Sequence, residues 1–295
     1  MKHAGPDEIA KLLDGHVDAR RRGDALQPLR FPAAEHGYYD PFTRWVATCT
    51  AGVRLRFRTD SRSVVLRGAQ RLLARPTSDE RRGAYDLWVD GRPVDRRWAE
   101  GGADMEPDSG ALTGDEAFSV TFEGLPAGDK VVELWLPQAA TVSLTDLALD
   151  DGASLEPAGD PRPRLLFHGS SITHGMEAEG AAAAWPAIAS AEAGASHQNL
   201  GWAGSCLLSG LAARIVRDAR ADAVILKLGI NVWPQGMLKA RTFTDSAHAM
   251  ISIVRERHRT TPLAIVSPIA SPPREATGDQ GGPSLREMRS LLAEV

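Results

Sequence analysis

The chain has 295 residues, of which 43% are hydrophobic and 24% are charged, so it has the composition of about two folded domains rather than of a disordered protein. Its 34 Lys and Arg residues against 38 Asp and Glu residues give a net charge of −4, and residues 101–160 hold 13 acidic residues against one basic residue. This balance argues against a nucleic-acid partner. The sequence has no long apolar run, no signal-like stretch and no closely spaced cysteines. We therefore expect a cytoplasmic protein with no membrane partner, no metal and no cofactor.

Short alternating runs dominate the first half of the chain. From Val53 to Arg58, apolar residues alternate with arginines, which predicts a strand with one buried face and an arginine face in solvent. Five further runs of strand composition follow, and one of them, Tyr85–Val89, leads into the hairpin dipeptide Asp90-Gly91. Many short strands separated by turns predict an all-β sandwich, which we assign to residues 1–158 together with a short leading arm.

The pattern changes after a linker rich in proline and charge. In residues 159–295, strands alternate with helices, which predicts a parallel sheet covered by helices on both faces. The clearest helix has an apolar stripe from Phe243 to Val254. The predicted strands are Arg164–Phe167, Gln198–Leu200, Ala223–Leu228 and Leu263–Val266. In such sheets, ligands bind beyond the carboxyl ends of the strands.

Three residues suited to acyl transfer follow three of these predicted strands. Ser171 comes after the first strand, Gly204 lies in a tight loop after the second, and Asn231 comes after the third. Acyl transfer requires a nucleophilic hydroxyl and hydrogen-bond donors that stabilise the oxyanion. We therefore predict the N–H groups of Ser171 and Gly204 and the side-chain amide of Asn231 as oxyanion donors.

These motifs resemble the SGNH, or GDSL-type, hydrolases. Gly169-Ser170-Ser171-Ile172 is similar to the first block of that family, with Ser170 in place of Asp, which implies that Ser171 is the nucleophile. Gly204 and Gly229-Ile230-Asn231 are similar to the second and third blocks. The resemblance covers roughly residues 164–295. It implies a flavodoxin-like α/β/α sandwich, and the β-rich first half resembles the branch that carries an N-terminal jelly-roll domain. That branch includes carbohydrate esterases and acyltransferases of natural-product pathways.

The fourth block of the family, Asp-X-X-His, supplies the orienting acid and the general base. The last histidine is His258, and we expect the chain to end before that block. Asp245 and His248 fit the block by letter, but helical spacing places both off the apolar stripe of their helix, so we do not assign them to catalysis. For His168 and His174, which flank Ser171, a polar or packing role is favoured over that of a base.

Three functions remain open at this stage. The first is a serine esterase that acts on a small acyl ester, for example of a carbohydrate or natural product; the second is an acyltransferase to an alcohol. The third is a carbohydrate-binding protein with an inactive hydrolase domain. Trp202 and Trp233 are candidates for lining the substrate pocket, whereas the tryptophans of the first half are expected in the sandwich core, with sugar stacking as the alternative. The tryptophans of the first half are Trp45, Trp88, Trp98 and Trp135.

Overall fold

The computed structural model describes residues 1–73, 83–106 and 109–295, with the side chain of Gln235 left out. These residues form two compact units. The first comprises residues 1–162 and 175–189, and the second comprises residues 163–174 and 190–295. The predicted domain boundaries, 1–158 and 159–295, stay a prediction, and residues 175–189 are the main difference from two continuous domains.

The first unit consists mostly of short strands. Its described strands are β1 (Lys2–Ala4), β2 (Leu13–Asp14), β3 (Asp18–Arg22), β4 (Ala25–Leu29), β5 (Arg54–Thr59), β6 (Ser63–Leu73), β7 (Ala84–Val89), β8 (Arg92–Trp98), β9 (Glu100–Gly101), β10 (Ala103–Met105), β11 (Leu112–Thr113), β12 (Ala117–Glu123), β13 (Lys130–Trp135), β14 (Ala140–Leu149) and β15 (Glu156–Pro157). Its helices among the described residues are α1 (Pro6–Ala10) and α2 (Pro41–Thr48).

The strands form two sheets. In one, the order is β11-β10-β6-β14-β4-β3, with β1 on β14, β12 on β6 and β9 on β12; in the other it is β15-β5-β13-β7-β8, with β2 on β5. Apart from β10 with β6, the paired strands are antiparallel. Side chains from both sheets share one hydrophobic core, so the sandwich predicted from the alternating pattern is present.

Strand β12 illustrates how the sequence creates this core. Phe118, Val120 and Phe122 are buried, whereas the intervening Ser119 and Thr121 point outward. Successive side chains of a strand alternate between its two faces, so one face joins the core and the other carries a row of polar groups.

The prediction that the arginines of β5 face solvent is wrong at two of the three positions. The Arg54 side chain is 1% exposed and pairs with Asp14 and Glu133, while Arg56 pairs with the same Glu133 at 3.3 Å. Only Arg58 is substantially exposed. The carboxylates that neutralise Arg54 and Arg56 come from other strands, so the row can be buried as ion pairs.

The second unit is built on a parallel sheet. Its strands are β16 (Arg164–Gly169), β17 (Ser196–Gly201), β18 (Ala223–Lys227) and β19 (Leu263–Val266), and the helices of the second half are α3 (Ser171–His174), α4 (Trp185–Glu192), which begins in the first unit, α5 (Gly210–Asp218), α6 (Ala240–Arg255) and α7 (Leu285–Ala293). The described strands have the order β17-β16-β18-β19. This is 2-1-3-4 in chain order, which matches the first four strands of the flavodoxin-like arrangement.

The predicted α/β class is therefore confirmed. The apolar stripe of α6 is buried as its spacing predicts, at Phe243, Ala247, Met250 and Val254. Helix α6 packs against α5 and α7. The loops that follow β16, β17 and β18 leave three neighbouring strands at the same edge of the sheet, because parallel strands end on one side.

Candidate active site

Ser171 is the first residue of α3, two residues after β16 ends. The hydroxyl of Ser170 accepts a hydrogen bond from the Ile172 N–H at 3.3 Å, and the His174 N–H donates to the Ser170 carbonyl at 2.9 Å. Ser170 is thus the N-cap of α3, a position that serine and aspartate both favour, which explains the serine where the family motif has Asp. At the first position of the helix, the Ser171 N–H lies outside the helical hydrogen-bond ladder.

Gly204 lies at the exposed tip of a tight turn. The Ser205 N–H donates to the Trp202 carbonyl at 3.1 Å and closes the turn, and Gly204 has φ of +70°. The third residue of a type II turn requires a positive φ, which glycine adopts without strain. Among the described residues, the Gly204 N–H donates to no protein acceptor, so it remains available to a ligand.

Asn231 follows β18 and a left-handed Gly229. Its side-chain oxygen Oδ1 accepts a hydrogen bond from the Cys206 N–H at 3.1 Å. Because Oδ1 is engaged, the Nδ2 group is the donor that remains, and within the part of the chain that is described it has no protein acceptor. Cys206 lies two residues after Gly204, so this bond connects the Gly204 loop directly to Asn231.

The loop of Gly204 is also connected to the strand that precedes Ser171. The Trp202 N–H donates to the Gly169 carbonyl at 2.7 Å. In the sheet, Gly169 lies opposite Gly201 on one side and Lys227 on the other. The three predicted site residues therefore follow adjacent strands at one edge of the sheet. Their catalytic roles stay a prediction.

His174 and Gly201 hold α3 close to β17. A Cβ on Gly201 would lie 2.3 Å from the His174 backbone nitrogen, so only glycine permits this approach. Asn199 donates to the Thr173 carbonyl and accepts from the Gly201 N–H, both at 2.8 Å. The spacing of motifs in the sequence gave no sign of this contribution of Asn199.

The ring of His174 is fully buried, and its Nδ1 accepts a hydrogen bond from the Ala203 N–H at 3.4 Å. Ala203 precedes Gly204, so this hydrogen bond to His174 helps to hold the loop that carries the predicted oxyanion donor. This favours the polar packing role over that of a base, because the ring nitrogen nearest the loop is already an acceptor.

His168 lies in a second buried cluster beneath the loops. Its Nδ1 is 2.8 Å from the Leu200 carbonyl and its Nε2 is 3.6 Å from the Cys206 sulfur. Burial raises the pKa of the Cys206 thiol to about 12, so the thiol is protonated at neutral pH and is not a competing nucleophile. Burial also lowers the pKa of Lys227, whose Nζ donates to the Ser267 carbonyl at 3.4 Å.

The two candidate pocket tryptophans differ. Trp202 is 1% exposed and packs edge-on against His168, whereas Trp233 is half-buried, donates from Nε1 to the Thr277 carbonyl and lies under the guanidinium of Arg274. Trp202 is thus part of the core, and Trp233 is the one with surface available to a ligand.

Asp245 and His248 are exposed on α6. Within the described residues, Ser171 Oγ has no hydrogen-bond partner, and no group of three or more His, Cys, Asp or Glu side chains is arranged to hold a metal ion. Nor does any helix of the described ranges have the length and hydropathy to cross a membrane.

Comparisons with known proteins match both the motifs and the fold. Residues 162–275 match the model of the GDSL-like lipase/acylhydrolase family. Among solved structures, salicylyl-acyltransferase SsfX3 from a tetracycline biosynthetic pathway aligns with 99% of this chain and 80% of its own at 28% identity, with a TM-score of 0.84. A protein named as a GDSL-like lipase from Bacteroides ovatus ATCC 8483 aligns with 99% of this chain and 81% of its own at 19% identity, with a TM-score of 0.73.

A more distant likeness extends to carbohydrate esterases. A family two carbohydrate esterase from Cellvibrio japonicus aligns with 99% of this chain and 84% of its own at 13% identity, with a TM-score of 0.60. No curated protein sequence matches the chain. Over residues 162–275, the chain is thus similar to the GDSL-like lipase/acylhydrolase family.

Proposed function

We propose that the full-length protein is a serine esterase for small acyl esters, in which Ser171 is the nucleophile. The N–H groups of Ser171 and Gly204 and the side-chain amide of Asn231 are the proposed oxyanion donors. The observation that carries this proposal is the hydrogen bond from the Cys206 N–H to Asn231 Oδ1, because it leaves Nδ2 as the free donor beside the Gly204 loop.

In the proposed mechanism, Ser171 Oγ attacks the ester carbonyl carbon. Its proton passes to a general base, which returns it to the leaving alkoxide as the tetrahedral intermediate collapses to an acyl-serine. The resemblance assigns the base to the histidine of an Asp-X-X-His block. His174 is not suited to that step, because it is buried and already accepts the Ala203 N–H.

Charge develops on the carbonyl oxygen during the attack. Donors fixed before the reaction stabilise that charge without reorganisation, and each is worth about 2.7–4 kcal/mol of barrier. The hydrogen bonds that hold the loops in place contribute in this way, since they fix the donors in the absence of substrate. They are Trp202 N–H to Gly169, Ala203 N–H to His174 and Cys206 N–H to Asn231.

Acyl transfer to an alcohol is the second candidate. It is favoured by the 28% identity to salicylyl-acyltransferase SsfX3 over 99% of this chain. Both reactions share the acyl-serine, and they differ only in whether water or an alcohol attacks it. The names of the similar solved structures support acyl esters of a carbohydrate or of a natural product as the proposed substrates.

The experiment compares full-length wild type, Ser171→Ala and Ser170→Ala on p-nitrophenyl acetate. We expect Ser171→Ala to lose turnover and Ser170→Ala to keep it, because Ser170→Ala removes only a helix cap, at a cost of about 1 kcal/mol in stability. Unchanged turnover in Ser171→Ala would refute the nucleophile. Adding alcohols of increasing size then separates the two candidates, since a transferase releases acetylated alcohol in place of acetate.

A further inference from the structure

A polar pocket lies on the first unit, between the end of β8, strand β9 and the outer face of β12. Its volume is about 300 Å³, within the range of about 300–1,000 Å³ that is usual for small-molecule sites. The side chains and backbone that line it come from β8, β9 and β12: Arg97, Trp98, Glu100, Ser119, Val120, Thr121 and Glu123.

The wall of the pocket on β12 is a regular row of hydrogen-bonding groups. Ser119, Thr121 and Glu123 occupy alternate positions on the outward face of that strand, so they are spaced by about 7 Å. Ser119 lies directly opposite Glu100 in the pairing of β12 with β9. Two hydroxyls and two carboxylates are therefore held on rigid strands rather than on loops.

The polar side chains of the pocket differ from neighbouring charged side chains, which form ion pairs. On the same sheet, Glu116 pairs with Arg71 at 2.7 Å, and Asp146 pairs with Arg67 at 2.7 Å. By contrast, no described residue forms a hydrogen bond or ion pair with the side chains at the pocket positions Ser119, Thr121, Glu100 and Glu123.

Trp98 supplies an apolar surface beside this polar row. It is the last residue of β8 and is 38% exposed, which corrects the expectation that it lies in the sandwich core. A large aromatic ring that remains partly in water at the wall of a concave polar site offers a flat face for packing. Arg97 adds a donor, although its Nε already donates to Asp95 at 2.7 Å.

We propose that this pocket binds a neutral saccharide. The C–H face of a sugar ring packs on the indole of Trp98, and its hydroxyls donate to the carboxylates of Glu100 and Glu123, which form strong charge-assisted hydrogen bonds. Ser119 and Thr121 both donate and accept, as a polyol requires. Two carboxylates against one guanidinium disfavour a phosphate or another anion.

The test follows the indole N–H of Trp98 by NMR in the full-length protein, assigned with Trp98→Phe. The probes are fragments of β-1,4-glucan, β-1,4-xylan, β-1,4-mannan and α-1,4-glucan, and choline chloride serves as the cationic probe. We expect at least one of the oligosaccharides to shift the Trp98 signal saturably. By isothermal titration calorimetry, which does not depend on the Trp98 signal, Trp98→Ala is expected to weaken its binding about tenfold, and Thr121→Val and Glu123→Gln several-fold.

Tyr38→Ala is the matched control, because Tyr38 is an aromatic residue of the same unit with 66% exposure and is not part of the pocket wall. It should bind as wild type does, and so should Asn231→Ala, which separates this pocket from the proposed catalytic site. The thermal midpoint of each variant reports whether it folds. The proposal is overturned if no oligosaccharide shifts the Trp98 signal, if only choline does, or if Trp98→Ala and Glu123→Gln bind as tightly as wild type.

Discussion

Replacement of Asn231 separates two roles that its side chain combines. Oδ1 accepts the Cys206 N–H at 3.1 Å and so holds the loop, whereas Nδ2 is the proposed oxyanion donor. Asn231→Ala removes both. Asn231→Asp keeps the acceptor for Cys206 and replaces the donor with a charged oxygen.

The expected magnitudes follow from these roles. Loss of one oxyanion donor costs about 2.7–4 kcal/mol, so Asn231→Ala should lower kcat by about 10²–10³. Asn231→Asp should be at least as damaging, because a carboxylate oxygen beside the developing oxyanion repels it. The unfolding free energy should fall more in Asn231→Ala, since only that variant leaves the Cys206 N–H without its acceptor.

The assay is kcat and KM for p-nitrophenyl acetate, with urea unfolding of each variant. The prediction is a fall in kcat with little change in KM, because the donor acts in the transition state. If Asn231→Asp restored kcat to near wild type while Asn231→Ala did not, the side chain would act only by holding the Cys206 loop, and the oxyanion role would be refuted.

Three further predictions concern the surroundings of the site and the sandwich. Gly204→Ala forces a side chain into φ of +70°, so urea unfolding should show a loss of about 1–2 kcal/mol, together with a lower kcat; unchanged values would contradict the turn. His174→Phe leaves the Ala203 N–H without its acceptor, which should cost about 1–3 kcal/mol in the same measurement, whereas a neutral effect would mean that the bond is unimportant. Burial raises the pKa of Asp160, but hydrogen bonds from Arg162 outweigh this effect and lower the pKa to about 2. The wild-type protein should therefore lose stability as the pH falls from about 4 to 2. Asp160→Asn should be less stable at neutral pH and lose less on acidification, and an identical acid profile would disprove this linkage.

Local patterns were sufficient to predict much of the second unit. Strand β19 has the predicted bounds, and the stripe of α6 is buried where its period places it. The reason is that strands β16 to β18 are largely buried and α6 buries one face, so composition and period report directly on structure, although β19 itself is only partly buried. The order of the strands then brings Ser171, Gly204 and Asn231 to one edge.

The sequence was less informative where distant partners decide the outcome. Arg54 looks solvent-facing in its own strand, and its burial depends on Asp14 and Glu133, which lie far away in the chain. In the same way, the burial of His174 depends on the Gly201 backbone, and the exposure of Trp98 depends on where β8 ends. Such pairings are set by tertiary contacts that periodicity does not encode.

The most direct test of the central claim is a crystal structure of the full-length protein after reaction with a fluorophosphonate. The account predicts a phosphonyl group bonded to Ser171 Oγ, with its oxygen about 2.7–3.1 Å from the nitrogens of Ser171 and Gly204 and from Asn231 Nδ2. Modification of another residue, or a phosphonyl oxygen that faces solvent away from Gly204 and Asn231, would contradict it.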